Sequence, residues 1–124
     1  AYAEQLHSYR GSKCTLVEIG VMEGGSLLAW KEWLGKDARV IGIDINPEVK
    51  EFEKQGVEIV IGNQADPTFW DKFFNENRDI DIIIDDGGHQ YFQQAITFFC
   101  VLFHARKKMR FFVVQHLVIY YIEV

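Results

Sequence analysis

Five short apolar runs, separated by stretches with helical spacing, constrain the fold of this chain more than any other feature. They occupy residues 14–19, 39–43, 57–61, 80–84 and 111–114. Uninterrupted runs rich in Val, Ile and Phe are typical of strands that are buried on both faces of a sheet. Because helical stretches alternate with the runs, successive strands return parallel through right-handed crossovers. The sequence therefore predicts an α/β fold with a doubly wound, mostly parallel sheet.

Local signals place four helices between these strands. Ser26 is the expected N-cap of the first helix, and Gly35 ends it. Pro47 and Pro67, which follow Asn and Asp, open the second and third helices. The fourth helix is predicted from apolar residues at helical spacing, namely Phe92, Ala95, Ile96, Phe99 and Leu102. We expect the aromatic residues of these helices to pack on the sheet.

Composition limits the class of protein. The 124 residues are 48% hydrophobic and 25% charged, which is typical of a single globular domain, here residues 1–124. The net charge of −5 offers no basic surface for nucleic acid and favours a small neutral or cationic substrate. Cys14 and Cys100 lack the spacing of a metal site, which predicts buried free thiols. The sequence shows neither a secretory pattern nor a charge-free run long enough for a bilayer, so we expect a cytoplasmic protein without membrane partners.

Polar residues follow the apolar runs at the points where parallel strands end. Glu18, Asp44, Asn63 and the pair Asp85 and Asp86 occupy these positions. Open parallel sheets bind their ligands in a crevice at the carboxyl ends of the strands. The sequence therefore predicts a ligand site that four strand ends share.

A glycine turn after the first run is the first candidate binding element. Gly20 and Gly24 would let the backbone approach a ligand, and the amides at the start of the following helix would face the crevice. Asp44 can accept two hydrogen bonds from a ribose diol. The alternative for Asp44 is a solvated or capping aspartate before Asn46, and its combination with the glycines favours the ribose role.

The glycine spacing distinguishes two classes of cofactor. A nicotinamide-dependent oxidoreductase is expected to carry Gly-x-Gly-x-x-Gly, whereas this turn reads Gly20-x-x-x-Gly24-Gly25. Glu18 and Glu23 lie close to the turn and would repel a pyrophosphate. They would tolerate a cofactor that carries an ammonium and a sulfonium group instead of phosphates.

The segment after the fourth run concentrates three titratable groups. Asp85, Asp86 and His89 can hold a divalent cation and supply a general base. In the alternative, one aspartate caps the fourth helix and His89 is a residue of its first turn. The position of the segment at the crevice favours the functional interpretation. His7 and His104 have no partners in sequence and are expected on the surface.

Five segments, in this order, resemble one family. Residues 17–21, 23–27, 42–45, 62–67 and 84–89 are similar to those of class I S-adenosylmethionine-dependent methyltransferases. Within that class the chain most resembles macrolide-glycoside sugar O-methyltransferases of the mycinamicin type. The resemblance implies a Rossmann-like fold and methyl transfer from S-adenosylmethionine to a hydroxyl of a sugar or glycosylated small molecule.

The resemblance also implies roles for individual residues. The cofactor-binding residues that it implies are Glu18, Gly20, Gly24, Ser26, Asp44, Ile45, Asn63, Gln64 and Asp85. The first three of these would line the methionine half of the cofactor. Asp44 would hold the ribose, while Asn63 and Gln64 would lie near the adenine. Asp86 would ligate Mg²⁺, and His89 would act as the base on the sugar hydroxyl.

Three positions depart from the family pattern. The family would have an aspartate where Asn63 stands, an acidic pair where Gln115 and His116 stand, and a Pro-Gly-Gly turn at residues 108–110. The chain also stops before the last two strands of the seven-stranded methyltransferase fold, so we expect a truncated sheet. An apolar run at residues 113–122 on the open edge of that sheet predicts a homo-oligomer. The alternative function is a catalytically impaired domain that binds the cofactor or a partner without turnover.

Overall fold

A six-stranded sheet organises the chain. The computed structural model describes residues 4, 6–88, 90–104, 111–114 and 118–121, with only the backbone described at residues 111 and 118–121. The strands are β1 (Thr15–Ile19), β2 (Arg39–Asp44), β3 (Glu58–Ile61), β4 (Ile82–Asp85), β5 (Phe111–Val114) and β6 (Val118–Tyr121). The α-helices are α1 (Gly25–Leu34), α2 (Pro67–Glu76) and α3 (Tyr91–His104), and 3-10 helices span His7–Tyr9 and Pro47–Gln55.

The order of the strands confirms the predicted doubly wound sheet. The order is β3-β2-β1-β4-β5-β6, and every neighbouring pair from β3 to β5 is parallel. The chain moves outward from β1 to β3 and then crosses back to β4 on the other side of β1. Ile19 pairs with Ile43 on one side and with Asp85 on the other, so the carboxyl ends of the three central strands lie level. Ligands bind at such a switch point in open α/β sheets.

The last strand was not predicted. We treated the apolar run after β5 as an unpaired edge, whereas β6 folds back and pairs antiparallel with β5. Phe112 lies opposite Tyr120, and Val114 lies opposite Val118. An antiparallel neighbour can follow after a short connection, because it needs no crossover helix. The edge strand of the described sheet on this side is therefore β6, which belongs to the apolar run at residues 113–122, and the homo-oligomer stays a prediction.

Helix starts follow the predicted signals in two of three cases. Asn46 accepts a hydrogen bond from the amide of Glu48, and Asp66 accepts one from the amide of Thr68, with proline next in each case. Ser26 is not the N-cap of α1, because the cap is Gly24 in the left-handed region at φ 81°. That conformation favours glycine and allows the helix to begin two residues earlier than predicted.

Two apolar layers cover the sheet. Alternate residues of β1 face opposite sides, as the pleat requires. Leu16 packs with Leu27 of α1, while Val17 packs with Trp70 and Phe73 of α2. Both layers consist of side chains that are almost fully buried. The core therefore holds the strand ends rigidly beneath the crevice.

The orientation of α3 differs from the prediction. We expect Phe92 and Phe99 to pack on the sheet, yet both are exposed, Phe99 by 67%. The buried side chains of this helix are Thr97 and Val101, and the partly buried Phe98 and Cys100 also pack against the core. Apolar residues occur on both sides of this helix, so the hydrophobic pattern alone does not determine which side is buried.

His104 at the end of α3 is also more enclosed than expected. Its ring stacks on Phe74 with the centroids 5.0 Å apart, and its Nε2 lies 2.9 Å from a carboxyl oxygen of Asp71. The prediction of a partnerless surface histidine is therefore wrong for His104. His7 is exposed as predicted. The partners of His104 belong to α2, which sequence proximity could not reveal.

The two cysteines are free, with Cys14 buried and Cys100 half-buried. In the part of the chain that the structure describes, no helix has the length and apolar character needed to cross a membrane.

Close packing around Gly42 makes a testable prediction about the fold. A Cβ at this position would lie 2.6 Å from Val21 Cγ2 and 2.7 Å from Leu27 Cδ2. We expect Gly42→Ala to lower the free energy of unfolding by about 1–3 kcal/mol, because the added methyl overpacks the core. Gly25→Ala is the control, since nothing lies within 4 Å of its Cβ position. Urea denaturation should show Gly25→Ala as stable as the parent chain, and an equal loss in both variants would contradict the packing account.

Candidate cofactor-binding site

The carboxyl ends of β1 to β4 enclose a cleft of about 240 Å³. The residues that line it are Ile19, Gly20, Met22, Ile43, Asp44, Ile45, Gly62, Asn63, Gln64, Asp86, Gly87, Gly88 and Gln93. Six of the predicted site residues are among them, namely Gly20, Asp44, Ile45, Asn63, Gln64 and Asp86. The predicted crevice is therefore present, and it draws on every strand end that we expected.

Gly20 brings two turns into contact. Its φ of 90° is in the left-handed region, and a Cβ there would collide with the carbonyl of Asp86 and lie 2.7 Å from the Cα of Gly87. Its amide donates to Ile43 at 2.8 Å, and the amide of Asp86 donates to Ile19 at 2.9 Å. A residue with a side chain could satisfy neither the conformation nor the contact. Gly20 thus lets the β1 and β4 turns meet at the floor of the cleft.

Asp44 holds the glycine turn from below. Its Oδ2 accepts hydrogen bonds from the amides of Val21 at 2.8 Å and Met22 at 3.1 Å, and its Oδ1 accepts from Asn46 at 2.9 Å. Met22 adopts φ 51°, which is uncommon for a residue other than glycine. A carboxylate oxygen can accept two hydrogen bonds, so Oδ1 keeps capacity for a ligand hydroxyl. Asp44 both stabilises the turn and presents an acceptor to the cleft.

Glu18 lies beneath the glycine turn, on the α1 side of the sheet. It is only 1% exposed, and its Oε2 accepts a hydrogen bond from the Ser26 hydroxyl at 2.8 Å. Its Oε1 is buried without a hydrogen-bond partner. Burial, together with the charge of nearby Asp86, raises the pKa of Glu18 from 4.5 to about 7. The hydrogen bond from Ser26 opposes this rise. The carboxyl is held partly protonated at neutral pH.

Four predicted cofactor-binding residues do not line the cleft, namely Glu18, Gly24, Ser26 and Asp85. Gly24 is buried, and its Cβ position would lie 2.7 Å from the ring of Phe52. Ser26 turns its hydroxyl toward Glu18. Their contribution in this structure is to shape and support the turn that borders the cleft.

Asp85 is fully buried on the opposite face of the sheet from Glu18. Both of its oxygens lie 3.2 Å from Nε2 of Gln64, and its Oδ1 accepts from the amide of Gly87 at 3.1 Å. Burial raises the pKa of Asp85, while the hydrogen bonds from Gly87 and Gln64 lower it and the charge of Asp86 raises it. Gln64 in turn contacts Thr97 of α3, at 3.0 Å. The β4 turn is thus joined to α3 through buried polar side chains.

The proposed metal and base residues are placed only in part. Asp86 borders the cleft, whereas His89, Gln115 and His116 lie outside the described residues. Among the residues that the structure describes, no three His, Cys, Asp or Glu side chains come together as a metal site would require. Mg²⁺ needs several oxygen ligands, and the described donors supply one carboxylate at this point.

Sequence analysis missed three residues of this region. Met22 and Gln93 line the cleft, and Thr97 lies behind it. Gln93 offered no chemical signal in an apolar helix. Thr97 did, because it is the one hydroxyl-bearing side chain among the residues of α3 other than Tyr91. A polar residue at the centre of an apolar helix indicates a buried partner.

Several known proteins are similar to this chain in sequence. No family model matches the chain. The 8-demethyl-8-alpha-L-rhamnosyl tetracenomycin-C 2'-O-methyltransferase of Streptomyces olivaceus is 32% identical, across 94% of this chain and 32% of its own length. Demethylmacrocin O-methyltransferase of Streptomyces fradiae is 29% identical, across 85% of this chain and 28% of its own length. Mycinamicin VI 2''-O-methyltransferase of Micromonospora griseorubida is 28% identical over the same shares.

The fold agrees with these relatives. MycE methyltransferase from the mycinamycin biosynthetic pathway, solved in complex with Mg and SAH, matches with a TM-score of 0.81 and 27% identity. The match covers 91% of this chain and 32% of the MycE chain. This chain is a homologue of sugar O-methyltransferases. The resemblance found in the five sequence segments is confirmed, and so is the Rossmann-like methyltransferase fold. The chain spans about 30% of the length of the curated relatives it matches.

The buried carboxyl of Glu18 predicts a pH-dependent stability. Its pKa rises from 4.5 to about 7 on folding, so the folded chain loses stability as pH increases through this interval. At about 1.4 kcal/mol per pKa unit, the loss approaches about 3 kcal/mol. Glu18→Gln cannot ionise, so it should not lose stability in this way. The difference in free energy of unfolding between Glu18→Gln and the parent chain should therefore shift in favour of the variant from pH of about 5 to about 8.

Urea denaturation at both pH values measures this difference. Glu23→Gln is the control, because Glu23 is exposed in the same turn. If the free energy of unfolding changes with pH in the same way in the parent chain and in Glu18→Gln, burial does not raise the pKa of Glu18.

Proposed function

We propose that this chain forms the S-adenosylmethionine-binding part of a sugar O-methyltransferase, which transfers a methyl group to a hydroxyl of a sugar or glycosylated small molecule. The observation that carries the proposal is the cleft, where glycine backbone meets the carboxylates of Asp44 and Asp86 at the switch point of the sheet. The homologues named above act as O-methyltransferases on glycosylated compounds, and MycE is solved with mycinamycin VI.

Charge supports this cofactor over a dinucleotide. Asp44 and Asp86 border the cleft, Glu18 lies just beneath it, and the described lining residues include neither Lys nor Arg. A pyrophosphate in such a cleft would face carboxylates without a compensating cation. S-adenosylmethionine carries an ammonium and a sulfonium group, both of which carboxylates attract. The cleft therefore favours S-adenosylmethionine over NAD.

Hydrogen-bonding capacity supports the assignment of individual residues. Asp44 keeps acceptor capacity on Oδ1, which suits a ribose hydroxyl. Asn63 is exposed at the rim of the cleft and Ile45 beside it is 68% exposed, so both can contact an adenine. Gln64 uses its amide nitrogen on Asp85 and Thr97, which leaves Asn63 as the better amide for the adenine. Glu18, Gly24 and Ser26 would shape the methionine end from behind.

The proposed chemistry needs one proton transfer from the chain. S-adenosylmethionine, when bound, supplies a methyl group on a positively charged sulfur. His89, the residue after the Gly87–Gly88 turn, would take the proton from the acceptor hydroxyl as that oxygen forms its bond to the methyl carbon and the methyl–sulfur bond breaks, which leaves the sulfur as a neutral thioether. The turn would position the acceptor hydroxyl relative to the methyl group, and such positioning accounts for much of the rate in a displacement of this kind.

Magnesium is part of the proposal, with Asp86 as the ligand. MycE is solved with Mg, and this suggests the metal for the present chain. The described residues supply too few ligands for a complete metal site, so only Asp86 is assigned to it. We further propose a cytoplasmic homo-oligomer, supported by the exposed aromatic residues Phe99 and Phe103 of α3.

A second candidate function is a catalytically impaired domain that binds the cofactor or a partner without turnover. It is favoured by Gln115 and His116, which stand where the resemblance implies an acidic pair. Replacing two carboxylates by an amide and an imidazole weakens a site for a hard cation. The two candidates share the cofactor cleft and differ only in catalysis.

The ribose assignment predicts the effect of Asp44→Ala. We expect this variant to bind S-adenosylhomocysteine about 1.5–3 kcal/mol more weakly in calorimetry, the range for hydrogen bonds to a charged group. Asp66→Ala is the matched control, because Asp66 also accepts a backbone amide but lies outside the lining of the cleft. A folded Asp44→Ala variant with the affinity of the parent chain would exclude the assignment.

The base assignment predicts that binding and turnover separate in His89→Ala. Affinity for S-adenosylhomocysteine should remain, while methyl transfer to glycosylated acceptors at millimolar magnesium falls by about 10²–10⁴-fold. Turnover in His89→Ala equal to that of the parent chain would refute the base role. If the parent chain shows no turnover and Gln115→Glu with His116→Asp restores it, the impaired-domain function is the correct one.

A further inference from the structure

Thr97 is fully buried in the middle of α3, and it does not line the cleft. Its Oγ1 lies 2.9 Å from the carbonyl of Gln93, one helical turn earlier. The Gln64 carbonyl lies 3.1 Å from the same Oγ1, so the single hydroxyl hydrogen is shared between these two carbonyl acceptors. The hydroxyl oxygen remains available as an acceptor, and it faces Gln64.

Gln64 depends on this acceptor. Its Nε2 lies 3.0 Å from Thr97 Oγ1 and 3.2 Å from the Asp85 oxygens, so both amide hydrogens have partners. Its Oε1 accepts from the amide of Gly88 at 2.6 Å. These contacts fix which end of the carboxamide faces the turn, because only the oxygen can accept from Gly88. Without Thr97 a buried N–H would lose its partner, which is costly in a site of low dielectric.

The turn after β4 is held through this carboxamide. The amide of Gly87 donates to Asp85, and the amide of Gly88 donates to Gln64. Gln64 thus contacts Asp85 and Gly88, which lie on either side of Asp86 in this turn. The Gln64 carbonyl, a second acceptor for the Thr97 hydroxyl at 3.1 Å, places the loop after β3 beside the same helix. The loop after β3 contacts Thr97 directly, and the β4 turn is joined to Thr97 through Gln64.

We propose that Thr97 is a positioning residue that fixes the Asp85–Gly88 turn through Gln64 and so positions Asp86 for methyl transfer. It acts through Gln64 and contacts neither the cofactor nor the acceptor. Its role in catalysis rests on the proposed function, whereas its role in ordering the turn rests on the contacts alone.

Amide hydrogen exchange tests the ordering of the turn without any ligand. Thr97→Val keeps the shape of the side chain and removes its hydroxyl. In this variant the amides of Gly87 and Gly88 should exchange about five to ten times faster than in the parent chain. Exchange is measured by NMR, with the amides of β2 as the internal reference. Thr97→Ser keeps the hydroxyl and should restore most of the protection. Val101→Ala is the matched control, since Val101 is buried one turn further along α3 and its side chain has no hydrogen-bonding group to offer this network.

Two results would overturn the proposal. One is unchanged exchange at Gly87 and Gly88 in Thr97→Val, and the other is an equal increase in Val101→Ala, which would indicate general loosening of α3. Circular dichroism identifies a variant that fails to fold, and in that case the comparison of Thr97→Ser with Thr97→Ala decides by the same criterion.

The catalytic part of the proposal has a separate measurement. In the methyl-transfer assay, Thr97→Val should lower kcat by about tenfold or more while KM for S-adenosylmethionine changes less than about threefold, because the turn is misplaced and the cofactor contacts remain. Thr97→Ser should recover kcat. An unchanged kcat in Thr97→Val would refute the catalytic role. A parent chain that binds no S-adenosylhomocysteine but shows the expected exchange pattern would refute the proposed function and leave the positioning network established.

Discussion

The contact between Gly20 and the Asp86–Gly87 backbone is the constraint on which the site depends. It requires a left-handed glycine after β1, and it requires β1 and β4 to end at the same level. The parallel register that pairs Ile19 with Asp85 provides the second condition. Once the two turns touch, the glycine turn, the Asp44 carboxylate and the β4 turn face a common space. The cleft is therefore a consequence of how two neighbouring strands end, rather than of any one ligand-binding residue.

Carboxylates are concentrated around this contact, and burial makes them costly. Glu18 lies on one face of the sheet, Asp85 on the other, and Asp86 between them at the surface of the cleft. Burial raises the pKa of both Glu18 and Asp85, and the charge of Asp86 adds to the effect. The hydroxyl of Ser26 and the amide groups of Gln64 and Gly87 offset part of the cost. A cationic ligand would offset more of it, and for this reason the same charges that strain the fold favour S-adenosylmethionine.

The sequence predicted the framework of the site well and its supports poorly. Five parallel strands, the glycine turn and the location of Asp44 follow from apolar runs and from the residues at their ends, which are local signals. Ser26 was misassigned because a serine before a helix usually caps it, whereas here Gly24 ends the turn in a conformation that only the structure shows. β6 was missed because an apolar run does not indicate which strand it pairs with. Gln64 lines the cleft, but its hydrogen bonds to Asp85 and Thr97 could not be predicted, because these partners lie 21 to 33 residues away in sequence.

The rotation of α3 shows why a polar contact can decide what hydrophobicity leaves open. Phe99 and Phe103 lie outside, 67% and 83% exposed, while Thr97 and Val101 lie inside. Burying one phenylalanine would contribute about 1.5–3 kcal/mol. Turning Thr97 outward would leave one N–H of the Gln64 amide without its acceptor, at about 1–3 kcal/mol. The inward side of α3 combines this hydrogen bond with the packing of Val101 and Phe98 in the cluster that includes Phe112, so polar and apolar contacts together set its orientation.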